Sequence, residues 1–177
     1  MQIFKKYGLA FAKILKIYSK GNMKKIENIL NYRTNSESLS TAGQPLIDEF
    51  KLIADEGFEA IVNIRPDFEM YGLFDEKQIV ENLGMKYYKV PMTFDSLNSN
   101  VLSDFFDRLE KLSERKILVH CHHNIRVSVL LAFYRIIKLK WEKDKAFEEL
   151  GKMVDLNSMW DDYFTFHINN YLASQSS

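Results

Sequence analysis

The chain has 177 residues, 46% of them apolar, 14% aromatic and 27% charged, with seven Gly and three Pro. That suits one globular domain with a sizeable core and excludes collagen, low-complexity disorder and a solenoid array. Lys and Arg number 24 and Asp and Glu 24, so no basic excess is available to hold nucleic acid. A single Cys excludes an intramolecular disulfide and points to a reducing compartment, the cytoplasm.

The zero net charge is unevenly divided. Residues 1–33 carry eight basic side chains (Lys5, Lys6, Lys13, Lys16, Lys20, Lys24, Lys25, Arg33) against one acidic, Glu27, a net +7. The remaining 144 residues carry 16 basic and 23 acidic, a net −7. Residues 1–33 therefore read as a basic helical extension and residues 34–177 as the α/β domain. At about 100° per residue, Phe4, Tyr7, Phe11, Ile14, Leu15 and Tyr18 share one helix face and the lysines the other. Such a helix suits peripheral contact with an anionic membrane, docking on the domain, or a homodimer. Lys13 and Lys16 interrupt any signal-peptide core, and no apolar run approaches the length needed to span a bilayer.

In chain order, a second short helix is expected near 23–31, and the polar stretch Thr34–Ser38 reads as the link into the domain. A short strand follows at Leu39–Ala42. Pro45 marks a helix start, with Leu46, Phe50, Ile53 and Ala54 as its apolar face and Gly57 as its stop. The β-branched run Ala60–Ile64 predicts a buried strand. A helix over about 75–83 ends at Gly84, and the strand Tyr87–Val90 ends at Pro91. A helix over 100–114 precedes the strand Lys116–His120. Helices over 127–139, 142–154 and 157–172 complete the chain. Strands alternating with helices predict a single α/β domain with a mostly parallel sheet flanked by helices. Ligand sites in such sheets lie beyond the carboxyl ends of the strands.

One such end reads His120-Cys121-His122-His123-Asn124-Ile125-Arg126, directly before a helix. A Cys there gains from the helix N-terminus, whose dipole and unpaired N–H groups favour an anion and hence a thiolate, the attacking form. Arg126 offers a planar fork to a phosphate. Thiolate, amide nest and guanidinium together make a metal-free phosphoryl-transfer site.

This arrangement resembles the protein tyrosine phosphatase superfamily, in particular its bacterial dual-specificity-like branch. The resemblance covers roughly residues 36–170. It rests on Ser40-Thr41-Ala42-Gly43-Gln44-Pro45, on Val62-Asn63-Ile64-Arg65-Pro66-Asp67, on the loop Val119–Ser128 and on Trp160. The resemblance implies a phosphatase of phosphate monoesters that needs no metal or cofactor. Cys121 would form a phosphocysteine while Arg126 and the amides of a loop through His122, His123, Asn124, Ile125 and Val127 hold the phosphate oxygens. An Asp would protonate the leaving oxygen and then activate water. Asp95, 26 residues before Cys121, is the first choice and Asp67 the second, although the family position also aligns with Thr93. His120 would steady the loop from a buried position, with Ser128 and Arg65 in support. Substrates would be phosphorylated proteins, phosphoinositides or small phosphate esters.

The loop departs from the usual pattern. Four residues rather than five separate Cys121 from Arg126, and none is Gly, so Asn124 is the residue suited to a positive φ. Val127 replaces the expected hydroxyl residue, with Ser128 one place later. A weakly catalytic phosphate-binding module is the alternative function. A zinc site is a further reading of the His-Cys-His-His run, though adjacent residues rarely converge on one tetrahedral ion. His167, among Tyr163, Phe164 and Phe166, reads as a core or surface residue.

Overall fold

The computed structural model describes residues 25–67 and 72–176. The expected helix over the first twenty residues lies outside them. Among the described residues the sheet has five strands: β1 (Arg33–Thr34), β2 (Leu39–Ala42), β3 (Ala60–Asn63), β4 (Lys86–Lys89) and β5 (Ile117–His120). Their order is β1-β2-β5-β3-β4, antiparallel at β1–β2 and parallel elsewhere. The helices are α1 (Glu49–Asp55), α2 (Glu76–Asn82), α3 (Ser99–Lys111), α4 (Ile125–Ile137), α5 (Lys143–Gly151) and α6 (Ser158–Ser174).

Side chains alternate across β3, so Ala60 and Val62 enter one core and Ile61 the other. On the first face α3, α4 and α6 bury Leu102, Phe105, Phe106, Val129, Phe133, Phe164 and Tyr171. Phe133 and Phe164 stack there at 4.0 Å and 17°. On the second face α1 and α2 bury Phe50, Ile53 and Val80 together with Ile26 and Ile29. Because β5 is central and both its neighbours run parallel to it, its carboxyl end opens at a point enclosed by the ends of β2 and β3.

Three local expectations are corrected. In place of a helix near 23–31 the described part of that segment has only a 3-10 turn at Ile26–Asn28. Asn31 then takes φ 51°, which ends any helix and turns the chain into β1. Thr34, expected in a linker, pairs with Ser40 in the edge hairpin, and the expected boundary at 33/34 falls inside β1. Pro45 lies four residues before α1 rather than at its start. The backbone N–H of Gln44 is drawn instead to the His122 carbonyl at 3.0 Å, and the Glu49 carboxylate reaches back to the Leu46 N–H at 2.7 Å. Gly57 and Gly84 take φ of 80° and 83° just past α1 and α2, as helix stops require.

Candidate active site

Cys121 stands at the end of β5, 1% exposed, at the edge of the first core. The next residues turn into α4 through Asn124, the left-handed residue at φ 67° and ψ 0°. This is the position at which the glycine-free loop was expected to need Asn. Its side chain does not cap the helix. Instead Nδ2 donates to the Asn31 carbonyl at 2.8 Å and to Thr41 Oγ1 at 3.0 Å.

The first helical bond runs from the Ser128 N–H to the Asn124 carbonyl at 3.1 Å. An Asn that could serve as a side-chain cap is turned away, and α4 begins four residues after Cys121. Arg126, half-buried, donates from Nη1 to the Met92 carbonyl at 3.2 Å, tying α4 to the loop after β4. Val127 buries its side chain completely, so its only offering to the loop is backbone. The Ser128 hydroxyl donates to the Asn124 carbonyl at 2.8 Å, a bond back along its own helix.

Gly43 explains why the Gly-Gln-Pro element sits beside this loop. It forms a bridge with His123 and donates its N–H to the Leu30 carbonyl at 2.6 Å. A Cβ there would stand 2.9 Å from Leu30 Cγ and 3.0 Å from the His122 carbonyl oxygen, so only Gly permits this approach.

The side chains of the His-Cys-His-His run disperse. His120 turns under the sheet end, where its Nε2 lies 2.9 Å from Glu76 Oε1. His122 and His123 pack edge to face at 4.1 Å, with His123 exposed. Among the described residues no group of three or more His, Cys, Asp or Glu side chains could hold a metal ion. His167 is buried against Phe133, Tyr163 and Phe166, the core side of the core-or-surface reading.

Of the acids, Asp95 is exposed in the loop after β4. Its neighbour Phe94 packs edge-on against Trp160 at 5.9 Å and accepts the Tyr163 hydroxyl at its carbonyl at 3.1 Å. Burial, and then the Asp95 charge, push the Tyr163 phenol up. Phe94, Trp160 and Tyr163 with Asn157 and Met159 line an open apolar cleft of about 290 Å³. Thr93 is occupied in a turn with Ser96. Asp67 pairs with Lys89, whose hydrogen bond and charge hold its carboxyl below the usual range. Arg65 is buried, and its Nε and Nη1 have no hydrogen-bond partner.

Sequence reasoning missed Glu76. An acid in the first turn of a helix ordinarily faces solvent and complements the dipole. This one is 2% exposed and accepts from Gln44 Nε2 at 2.7 Å, from Asn63 Nδ2 at 2.7 Å and from His120. The signal available was the pair of amides at Gln44 and Asn63, each at a strand end and each needing a partner if buried.

No family model matches the chain. It is 32% identical over 119 residues to the beta-lactamase hydrolase-like protein of Xylella fastidiosa, a match covering 66% of this chain. The chain spans only 27% of that relative's length. Among solved structures, a DUF442 protein of Shewanella putrefaciens CN-32 superposes with a TM-score of 0.68 at 22% identity, covering 85% of this chain and 99% of that one. P. aeruginosa TpbA, solved in complex with pTyr, gives 0.64 at 18% identity, covering 88% and 96%. The chain shares the fold of these solved structures.

Proposed function

We propose that the chain hydrolyses phosphate monoesters through a phosphocysteine, as a phosphatase of the tyrosine or dual-specificity type. The observation that carries this reading is the placement of Cys121 at the carboxyl end of the central strand, with Arg126 in the first turn of the helix that follows. The Cys121 thiolate attacks phosphorus, the S–P bond forms as the P–O bond to the leaving group breaks, and Asp95 gives that oxygen its proton. Water then attacks phosphorus, Asp95 takes a proton from it, and the S–P bond breaks to release phosphate. Loop amides and Arg126 hold the equatorial oxygens throughout.

Asp95 is preferred to Asp67 because Lys89 favours the ionised form of Asp67 and so weakens it as an acid. The aromatic cleft beside Asp95 supports an aryl leaving group, as in phosphotyrosine.

A second reading, phosphate binding with little turnover, is favoured by the commitment of the Ser128 hydroxyl to Asn124, which leaves no adjacent hydroxyl to help expel the thiolate. An aryl phosphate assay without added metal decides between them. Turnover abolished in Cys121→Ser and inhibited by vanadate is expected. Activity surviving that substitution overturns the cysteine mechanism, and an inactive wild type that still binds vanadate supports the binding module.

A further inference from the structure

The carboxylate of Glu76 gathers one side chain from each strand end around the loop: Gln44 just past β2, Asn63 at the end of β3 and His120 at the end of β5. The orientation of the Asn63 amide is set independently, because its Oδ1 accepts the Arg65 backbone N–H at 2.7 Å. Its Nδ2 therefore points at Glu76 Oε1, and also lies 3.0 Å from the Tyr87 hydroxyl. An ionised carboxylate only accepts. Burial pushes the Glu76 carboxyl up, but the charge and hydrogen bond of His120 and the bonds from Gln44 and Asn63 outweigh it and hold the group down at about 2. The nitrogen that faces it, His120 Nε2, must then carry a proton. The other nitrogen, Nδ1, is buried without a partner. Phe50 closes the ring edge-on at 6.4 Å.

We infer that Glu76 is a positioning residue for Cys121, holding His120 with its Nε2 proton toward α2 and so fixing the strand end from which the nucleophile emerges. The inference rests on the phosphatase reading of the site. Gln44 strengthens the link, since its side chain binds Glu76 while its backbone N–H binds the His122 carbonyl. Loop, strand end and carboxylate thus move as one unit.

In Glu76→Gln, three donors face a side chain that is itself half donor. The relief lies at Gln44, whose amide can flip so that its unpartnered Oε1 accepts from the new amide while the retained carbonyl keeps Asn63 and His120. Glu76→Ala, by contrast, removes the acceptor of the Nε2 proton. Long-range 15N–1H NMR of the wild type is expected to show His120 protonated on Nε2; a neutral ring protonated only on Nδ1 overturns the proposal, whether or not the variant folds. In Glu76→Ala, where the Nε2 proton loses its acceptor, kcat is expected to fall about tenfold or more with KM changed less than about twofold, and Glu76→Gln is expected to restore most of it. The double variant Glu76→Ala/His120→Asn is expected to lose no more than His120→Asn alone, whereas additive losses indicate a role that does not pass through His120.

Should the wild type prove inactive on aryl phosphates, alkylation of Cys121 by iodoacetamide reads the same coupling without turnover. Glu76→Ala is expected to slow it about tenfold. Unchanged alkylation overturns the positioning role and leaves the phosphatase question separate.

Discussion

Asn31 and Asn124 are bound to each other's segments: Asn124 Nδ2 donates to the Asn31 carbonyl at 2.8 Å, and Asn31 Nδ2 donates to the carbonyl of His123, beside Asn124, at 3.0 Å. Both residues have positive φ, 51° and 67°. Two left-handed turns 93 residues apart in sequence hold each other, and one of them forms the entry to α4.

Replacing Asn124 separates its two roles. Asn124→Gly keeps the backbone conformation and loses the side-chain bonds, for a cost of about 1 kcal/mol. Asn124→Ala also places a Cβ in the left-handed region, for a cost of about 2 kcal/mol. Urea unfolding of the two variants should show that order. Equal losses would mean that backbone strain contributes little.

Gly43→Ala should lower stability by about 1–3 kcal/mol through the clash with Leu30 and the His122 carbonyl. Leu30 is flexible and 47% exposed, so adding Leu30→Ala should recover only part of the loss, the backbone contact remaining. Full recovery in thermal unfolding would place the strain on Leu30 alone.

The depressed Glu76 carboxyl makes a pH prediction of definite sign. Its folded value of about 2 lies below the ordinary 4.5, so its stabilisation is complete above pH 4.5 and lost as pH falls toward 2. The effect is on the order of 3 kcal/mol at most. The stability gap between wild type and Glu76→Gln should therefore narrow as the solution is acidified through that range. A gap independent of pH would show that the carboxylate is not ionised in the fold.

Arg126→Lys keeps the charge and loses the planar fork that binds the Met92 carbonyl and is proposed to hold a phosphate. Vanadate affinity should fall about tenfold or more and kcat with it. Retained affinity would reduce Arg126 to a tether between α4 and the loop after β4.

Asp95→Asn should reduce kcat strongly for phenyl phosphate and much less for 4-nitrophenyl phosphate, whose leaving group needs little protonation. Asp67→Asn should affect neither strongly. The opposite pattern would transfer the acid role to Asp67.

The strands at the centre of the sheet were legible because their β-branched runs are buried on both faces, and α3, α4 and α6 because their lengths allow a clear period. The Asn124 conformation was also legible, from a loop that lacks Gly. The edge strand β1 was not, since two residues carry no alternation and pair only because Asn31 turns the chain toward β2. Pro45 misled because a helix-start residue can equally end an extended segment, here one held by the His122 carbonyl. Glu76 escaped because its burial depends on three partners from distant strand ends. Of the site, Cys121 and Arg126 could be read locally, but the side chains beneath them could not.

The bonds from Asn31 also decide how much chain the catalytic body requires. A protein started at residue 34 would lack half of β1, the buried Ile26 and Ile29, and the carbonyl that receives the Asn124 amide. A version that keeps its loop in shape must retain Ile26, Ile29 and Asn31. Expression boundaries drawn from the change in charge at residue 33 would cut through the support of the active site.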